Sequence, residues 1–261
     1  MKRNHFLTIA AFAGLITLGL SCVKDPVADR AVTPLPTTTV PGSFVEEFDN
    51  IGSLTSKGWV FKNNSNPIGS TGWRQGRYES AAIAQYKFLA PVAFLGFPAY
   101  SASATPNDFI SCDVAAVNTS GDISAWLITP AVAMKNGDQI VFYTRAVDDS
   151  NYPVYTKDRM QVRANYTDGS AFVGNSPADT GNFSKVLVDI NPTYANNDPS
   201  GYPRAWKKYT LTVSGIPGVG SINNGRFAFR YFAKDAGLDG GTTGANYSSI
   251  IGIDSLAFVH K

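Results

Sequence analysis

The run Arg226-Phe227-Ala228-Phe229-Arg230-Tyr231 places an aromatic ring at every second position and arginine or alanine between the rings. The same two-residue period occurs in Lys208-Tyr209-Thr210-Leu211-Thr212-Val213 and in Met160-Gln161-Val162-Arg163-Ala164. Strict alternation of apolar and polar side chains is typical of an antiparallel strand with one buried face and one wet face. The three runs therefore predict half-buried strands.

Seven further segments have strand-like composition and length. They are Phe44–Phe48, Trp59–Lys62, Phe109–Val114, Ala125–Thr129, Gln139–Arg145, Val186–Ile190 and Ser249–Val259. The chain shows no long helical period, and its 24 glycines and 15 prolines, with clusters of Asn, Asp and Ser, separate the apolar runs. This pattern predicts an all-β fold, a two-sheet antiparallel β-sandwich of jelly-roll type.

The N-terminus has the pattern of an export signal. Lys2 and Arg3 precede an apolar run over residues 6–20, which is shorter than the roughly 20 residues that span a bilayer as a helix. Small and apolar residues directly before Cys22 resemble the lipobox of bacterial lipoproteins, in which the cysteine receives a diacylglycerol and becomes the new N-terminus. We therefore expect a lipoprotein signal peptide over residues 1–21 and lipidation of Cys22. The alternative is an ordinary secretory peptide with a chance cysteine.

Residues 22–43 contain four prolines and no periodicity, which predicts an extended tether after the lipidated cysteine. Val23-Lys24-Asp25 resembles the short signal that sends lipoproteins of Bacteroidetes-type bacteria to the outer face of the outer membrane. The expected location is therefore an exported protein, lipid-anchored to the outer membrane and surface-exposed. Contact with the membrane is expected through the N-terminal lipid only.

Cysteine count and charge restrict the class of protein. If Cys22 carries lipid, Cys112 has no disulfide partner, and its apolar strand environment predicts a small core residue. Removal of Lys2 and Arg3 with the signal peptide leaves 20 Lys and Arg against 20 Asp and Glu. Balanced charge without a basic run argues against a nucleic-acid partner.

The residue inventory argues against an enzyme. His260 is the one histidine after the signal peptide and stands next to the last residue, so Ser-His-Asp and Cys-His arrangements are disfavoured. A zinc site of several His and Cys ligands is excluded by the same counts. The remaining catalytic option is a carboxylate-based glycoside hydrolase, which needs two acids. Glu46, Glu47 and Glu79 are the only glutamates.

Two loop segments, 148–155 and 191–206, combine aromatic and polar residues and are the predicted ligand-binding loops. The candidate contact residues are Tyr152, Tyr155, Tyr194, Tyr202 and Trp206. In contrast, Trp59 and Trp126 fall within strand patterns and are predicted core residues.

Four arginines, Arg145, Arg163, Arg226 and Arg230, fall on the polar faces of predicted strands. They are interpreted as a solvent-exposed face. The alternative is that they form a row of guanidinium groups that binds acidic glycans.

Several segments carry a family resemblance. They are Glu46-Glu47-Phe48-Asp49 followed by Gly58-Trp59, then residues 122–130 with the run Trp126-Leu127-Ile128-Thr129-Pro130, then Ile251-Gly252-Ile253-Asp254-Ser255-Leu256. From about Phe44 to the C-terminus the chain resembles the choice-of-anchor J / cleaved-adhesin family of exported β-sandwiches. The resemblance implies a non-catalytic, adhesin-like jelly-roll binding domain over residues 44–261, with a glycan or a surface or extracellular protein as partner. The alternative is a scaffold-only accessory lipoprotein of a surface assembly.

The last predicted strand changes phase near its middle. Ile251 and Ile253 share one face, whereas Leu256 and Phe258 have the opposite parity, which predicts a bulge at Asp254-Ser255.

The family resemblance implies that the first and last strands lie close together. This would bring Glu47 and Asp49 near Asp254, and we expect these three acids to hold a structural Ca²⁺ with backbone carbonyls. The alternative is that Asp49 begins a turn and Asp254 caps an edge.

Overall fold

Two antiparallel sheets pack face to face in the computed structural model of the protein, which describes residues 42–78, 96–148, 157–195, 200–237 and 248–261. The predicted all-β, two-sheet antiparallel sandwich is confirmed. All described residues lie in the unit formed by residues 39–261. Within the described ranges, no helix is long and apolar enough to cross a membrane.

The described ranges contain thirteen strands and three short 3₁₀ turns. The strands are β1 (Phe44–Glu46), β2 (Val60–Asn63), β3 (Asn66–Ile68), β4 (Arg74–Gln75), β5 (Ile110–Asp113), β6 (Val117–Ile128), β7 (Val132–Lys135), β8 (Gln139–Ala146), β9 (Met160–Asn165), β10 (Lys185–Ile190), β11 (Lys207–Thr212), β12 (Ser221–Gly237) and β13 (Ile250–Val259). The 3₁₀ turns are Ile51–Ser53, Thr55–Lys57 and Val114–Ala116.

The first sheet has the order β11-β8-β13-β5-β4, and β1 pairs with β13. The second sheet has the order β10-β9-β12-β6-β2, with β3 on β6 and β7 on β12. The pairing of β1 with β13 is the proximity of the first and last strands that the family resemblance implied, and it places Glu46 opposite Leu256.

The core lies between the two sheets because the alternating runs turn their large apolar residues to one side. Phe142 of β8 and Phe229 of β12 meet edge to face at 5.0 Å between ring centroids. Phe227 packs against Phe258 of β13 at 5.8 Å. Cys112 is fully buried in the same core, as predicted, and burial raises the pKa of its thiol well above the usual value.

The predicted bulge in the last strand is confirmed. Asp254 pairs with Tyr143 and Ala257 pairs with Val141, so β13 holds one residue more than β8 across this interval. Ser255, inside the bulge, has φ of 50°. The extra residue explains why the apolar side chains on both sides of it reach the same core despite their opposite parity.

The four arginines of the polar strand faces attach loops to the sheets, which corrects both sequence interpretations. Each guanidinium donates to backbone carbonyls: Arg145 to Ala146 and Arg204, Arg163 to Phe183 and Ser184, Arg226 to Gly58, Thr129 and Gly169, and Arg230 to Pro177. Loops cover both sheet faces at these points, so the arginines form neither a solvated face nor a ladder open to ligands.

Candidate functional site

Described residues at the edges of the two predicted ligand-binding loops line an open cavity of about 600 Å³. Asp148 lines it from the first loop, and Gly201 with residues 203–208 line it from the second loop and the start of β11. We call this the Trp206 cavity, after the one tryptophan in its described wall. Recognition sites in sandwiches are commonly formed by loops held on a rigid scaffold, and this cavity has that construction.

The indole of Trp206 is fixed from three sides. Its Nε1 donates a 2.9 Å hydrogen bond to the carbonyl of Pro98, and its ring lies nearly perpendicular to Phe97 and Phe109, at 5.5 and 5.8 Å between centroids. A Cβ atom at Gly252 of β13 would lie 2.7 Å from the Phe97 ring and 3.0 Å from the indole Cη2, so a larger residue there requires these rings to shift. Trp206 remains half-buried, which leaves part of a rigid indole at the cavity wall.

A pair of tyrosines extends the aromatic surface beside Trp206. Tyr100 stacks on Tyr143 at 3.7 Å between centroids, and its ring lies 6.4 Å from that of Trp206. Tyr100 is 47% exposed, which is unusual for an aromatic residue in this fold. Flat, rigid aromatic faces are well suited to the apolar faces of sugar rings.

Positive charge predominates in the described wall of the Trp206 cavity. Arg204, Lys207 and Lys208 line it, against the single carboxylate of Asp148. Lys208 pairs directly with Tyr143 in the β11–β8 register, which places it on the face that carries the stacked tyrosines. The described part of the cavity is therefore both aromatic and cationic.

Asp254 of β13 binds the backbone of the segment that carries Tyr100. Its Oδ2 accepts hydrogen bonds from the backbone N–H groups of Tyr100 and Ser101 at 2.8 and 2.9 Å, and its Oδ1 accepts from Ser255 at 2.7 Å. Burial raises the pKa of the Asp254 carboxyl to about 7; the backbone donors act in the opposite direction, and the charge of Glu47 adds to the rise.

Two of the three acids predicted to hold calcium, Glu47 and Asp254, have carboxylate oxygens with unused acceptor capacity. The Oε2 atom of Glu47 is buried and has no hydrogen-bond partner among the described residues, and Asp254 retains one free acceptor position on Oδ1. These two carboxylates fit the start of an oxygen shell for a hard cation, which takes six to eight ligands.

Asp49 does not complete the predicted three-acid set. It is exposed, and the described residues contain no group of three or more His, Cys, Asp or Glu side chains placed to hold a metal. The first and last strands pair, as the family resemblance implied. Asp49, however, lies in a bend after β1 and outside the β1–β13 pairing.

The structure separates the other predicted contact residues. Tyr202 is buried, and its hydroxyl lies 2.6 Å from Thr144 Oγ1, so its assignment as a ligand contact was wrong: the ring completes the core beneath the loop. Tyr194 lies beside Arg159 on the second sheet, at 5.5 Å from its guanidinium, and does not line the Trp206 cavity. Tyr152 and Tyr155 fall outside the described residues, as does Cys22.

Sequence reasoning missed Tyr100 and the two lysines of β11. Tyr100 follows a segment without strand periodicity, and its pairing with Tyr143 depends on the hydrogen bonds from its backbone to Asp254. Lys207 and Lys208 open a strand that the alternation did predict. Their position directly after the aromatic loop was the sequence feature that could have indicated a role in binding.

The remaining titratable candidates have structural partners. The Nδ1 atom of His260 lies 3.0 Å from Oδ2 of the fully buried Asp138, whose Oδ1 also accepts from the backbone of Lys261. Glu46 pairs with Lys57 at 2.9 Å and accepts from the backbone of Phe48. These contacts hold the chain ends of the sandwich in place.

Comparison with known proteins shows similarity in fold. No family model and no curated protein matches the chain. The structure is similar to the K1 cleaved adhesin domain of Lys-gingipain from Porphyromonas gingivalis W83, at 18% identity and a TM-score of 0.46 over 84% of this chain and 98% of that one.

Two other solved structures with similar folds differ from each other in function. One is described as carbohydrate-binding modules of the β-sandwich superfamily, at 11% identity and a TM-score of 0.42 over 85% of this chain and 63% of that one. The other is the Agl-KA catalytic domain, at 9% identity and a TM-score of 0.35 over 85% and 28%. At these values the likeness carries no argument about ligand or activity.

Proposed function

We propose that this protein is a cell-surface lipoprotein whose β-sandwich binds a carbohydrate without transforming it. The observation that carries the binding proposal is the Trp206 cavity. It is large enough for one or more sugar rings, and it presents a fixed indole beside the exposed ring of Tyr100. Contacts with Pro98, Phe97 and Phe109 hold the indole, so this contact surface needs little ordering when a ligand enters.

The residues argue for binding over catalysis. Hydrolysis of a glycosidic bond by the common routes uses two carboxylates on opposite sides of the bond. The described wall of the Trp206 cavity contributes one, Asp148. The buried Cys112 and the Asp138-bound His260 are not placed to act as a nucleophile and base.

The anchor and location rest on the sequence. A charged start, a short apolar run and Cys22 support a lipoprotein signal, and the proline-rich residues 22–43 support a tether that holds the sandwich away from the membrane. Metabolic labelling of expressing cells with a clickable fatty acid tests this. Label on the wild type but not on Cys22→Ala supports the anchor, and an unlabelled wild type refutes it.

A glycan array tests the binding proposal. We expect the purified protein to bind a subset of glycans and Trp206→Ala to lose that binding. Phe172→Ala is the matched control, because Phe172 is 51% exposed and lies outside the Trp206 cavity. Wild-type protein that binds no glycan but captures a protein ligand would support the protein-partner alternative. Binding to neither would favour a scaffold-only accessory lipoprotein.

We further propose that Glu47 and Asp254 hold a structural Ca²⁺ together with backbone oxygens. The buried, unpartnered Oε2 of Glu47 supports this, since a buried carboxylate oxygen without a partner is costly. Calcium there would link β13 to the residues that follow β1. Because Asp254 accepts a hydrogen bond from the backbone of Tyr100, the ion would also stabilise the segment that carries Tyr100.

A further inference from the structure

We propose that the Trp206 cavity selects a glycan that carries a carboxylate or sulfate group. This inference rests on the proposed carbohydrate-binding function and specifies its ligand class. Aromatic rings alone do not distinguish acidic from neutral sugars. The ligand chemistry is set by the cations that share the cavity wall with the indole.

Two cations of the wall, Lys207 and Lys208, form no ion pair within the described residues. Neither Lys207 nor Lys208 lies within 4.0 Å of a carboxylate oxygen in the part of the chain that the structure describes. Both residues are exposed. The one acid of the described wall, Asp148, already interacts with Arg145, whose pKa burial lowers and the charge of Asp148 raises. The wall therefore presents an excess of positive charge to an incoming ligand.

This excess is local. The chain without Lys2 and Arg3 has equal numbers of basic and acidic residues, so the cavity does not merely share in a basic surface. A local excess of positive charge raises the association rate of negatively charged ligands and the specificity for them over neutral ones. Its effect on total affinity is smaller. A charged substituent on a sugar is the feature that such a wall distinguishes.

The positions of the groups fit an acidic sugar. Lys208 stands opposite Tyr143 in the strand register, on the face where Tyr100 stacks. The Tyr143 hydrogen bond and burial raise the pKa of Tyr100, and the charge of Lys208 acts in the opposite direction. A sugar ring on the aromatic surface would thus have its acidic substituent within reach of Lys208, whereas the ammonium of Lys207 lies 5.6 Å from the Tyr209 ring centroid on the other face of β11.

An acidic peptide has the same charge as an acidic glycan, but it has no flat ring face to stack on the aromatic surface unless it contains an aromatic residue. Trp206, held by Pro98, Phe97 and Phe109, offers a flat face that complements a pyranose. We therefore commit to a glycan, and peptide binding is an outcome of the test.

The test is a panel of acidic oligosaccharides and their neutral counterparts at two salt concentrations. Galacturonate oligomers are paired with their methyl esters, and sulfated galactose oligomers with unsulfated ones, which distinguishes carboxylate from sulfate. An acidic peptide of equal charge is included. We expect acidic members to bind more tightly than their neutral counterparts, and affinity to fall between about 20 and 200 mM salt as the Debye length shortens.

The variant is Lys207→Gln with Lys208→Gln. Its affinity for the acidic glycan should fall roughly two- to tenfold, as expected for the loss of one exposed ion pair at Lys208 and of the longer-range charge of Lys207. The matched control is Lys62→Gln with Lys234→Gln, which removes the same charge from two exposed lysines of the second sheet and should bind like wild type.

The outcomes separate this inference from the proposed function. Equal binding of neutral and acidic members, or an unchanged affinity in the Lys207/Lys208 variant, overturns the inference and leaves carbohydrate binding intact. Preference for the acidic peptide overturns it as well. Absence of binding to every glycan refutes both.

Discussion

The carboxylate of Asp254 holds Tyr100 by its backbone: Oδ2 accepts the N–H of Tyr100 at 2.8 Å, although the two residues are 154 positions apart. The bulge at Ser255 accompanies this contact. Because Tyr100 stacks on Tyr143 and neighbours Trp206, a buried acid in the last strand supports the aromatic surface of the Trp206 cavity. We therefore expect the proposed ligand binding to depend on the bulge in β13.

Stability should fall with rising pH through Asp254. Burial gives this carboxyl a folded pKa of about 7, against 3.8 for its ordinary value, so the folded state holds a proton that the unfolded chain releases. Between pH 4 and 7 the free energy of unfolding should therefore decrease by up to about 1.4 kcal/mol per pH unit from this group. Chemical denaturation in a chelator, compared with Asp254→Asn, measures the effect. Parallel pH profiles of the two proteins would contradict it.

Calcium should raise the melting temperature of chelator-treated protein at pH 8, where Asp254 is ionised. At a hundredfold excess over its dissociation constant, one bound ion adds about 2.7 kcal/mol, or roughly 5–10 °C for a domain of this size. Glu47→Gln and Asp254→Asn should each reduce the shift. Asp49→Asn, the exposed comparison, should reduce it less. A melting temperature indifferent to millimolar calcium would remove the metal proposal.

Arg230 should contribute strongly to stability because it joins a loop to the second sheet. Its guanidinium lies over the Trp126 and Phe232 rings at 4.9 and 4.0 Å and donates to Ser124 and to the carbonyl of Pro177. Burial, with a smaller contribution from the guanidiniums of Arg163 and Arg159, lowers its pKa to about 9.

Replacement of Arg230 by methionine leaves buried acceptors unsatisfied and should cost about 2–4 kcal/mol in urea unfolding. Lys234→Met, on the same strand but exposed, should change stability by less than about 0.5 kcal/mol. Equal effects of the two substitutions would show that Arg230 does not anchor the loop.

Gly252 should be required for the shape of the cavity. A methyl group there would come within 2.7 Å of the Phe97 ring and 3.0 Å of the Trp206 ring. Gly252→Ala should therefore displace the indole and weaken glycan binding while circular dichroism keeps its β signature. Ligand affinity equal to that of wild type would mean that the indole position is unimportant.

Alternation predicted the strands that line the core, because a half-buried sheet imposes a two-residue period. It also predicted the bulge in β13 from the change of parity between Ile253 and Leu256. Alternation missed β3, β4 and β7, which have two to four residues and too few positions to show a period.

The site was less predictable than the fold because it depends on contacts between distant segments. Trp206 and the two loops were predicted as ligand contacts from their composition. The burial of Tyr202, in contrast, depends on contacts with distant residues, such as its hydrogen bond to Thr144 of β8. The arginines looked like a solvated face, since a local pattern does not reveal which loops will cover it. Asp49 is exposed in a bend after β1, and strand register does not fix the position of such a residue.

Titration calorimetry with the tightest-binding glycan from the array tests the central claim most directly, on wild type, Trp206→Phe and Phe172→Ala. Phenylalanine retains packing against Phe97 and Phe109 but presents a smaller face. Loss of part of one aromatic contact should weaken binding roughly two- to tenfold. The account predicts this loss for Trp206→Phe and wild-type affinity for Phe172→Ala. Equal affinity of all three proteins would contradict binding at the Trp206 cavity.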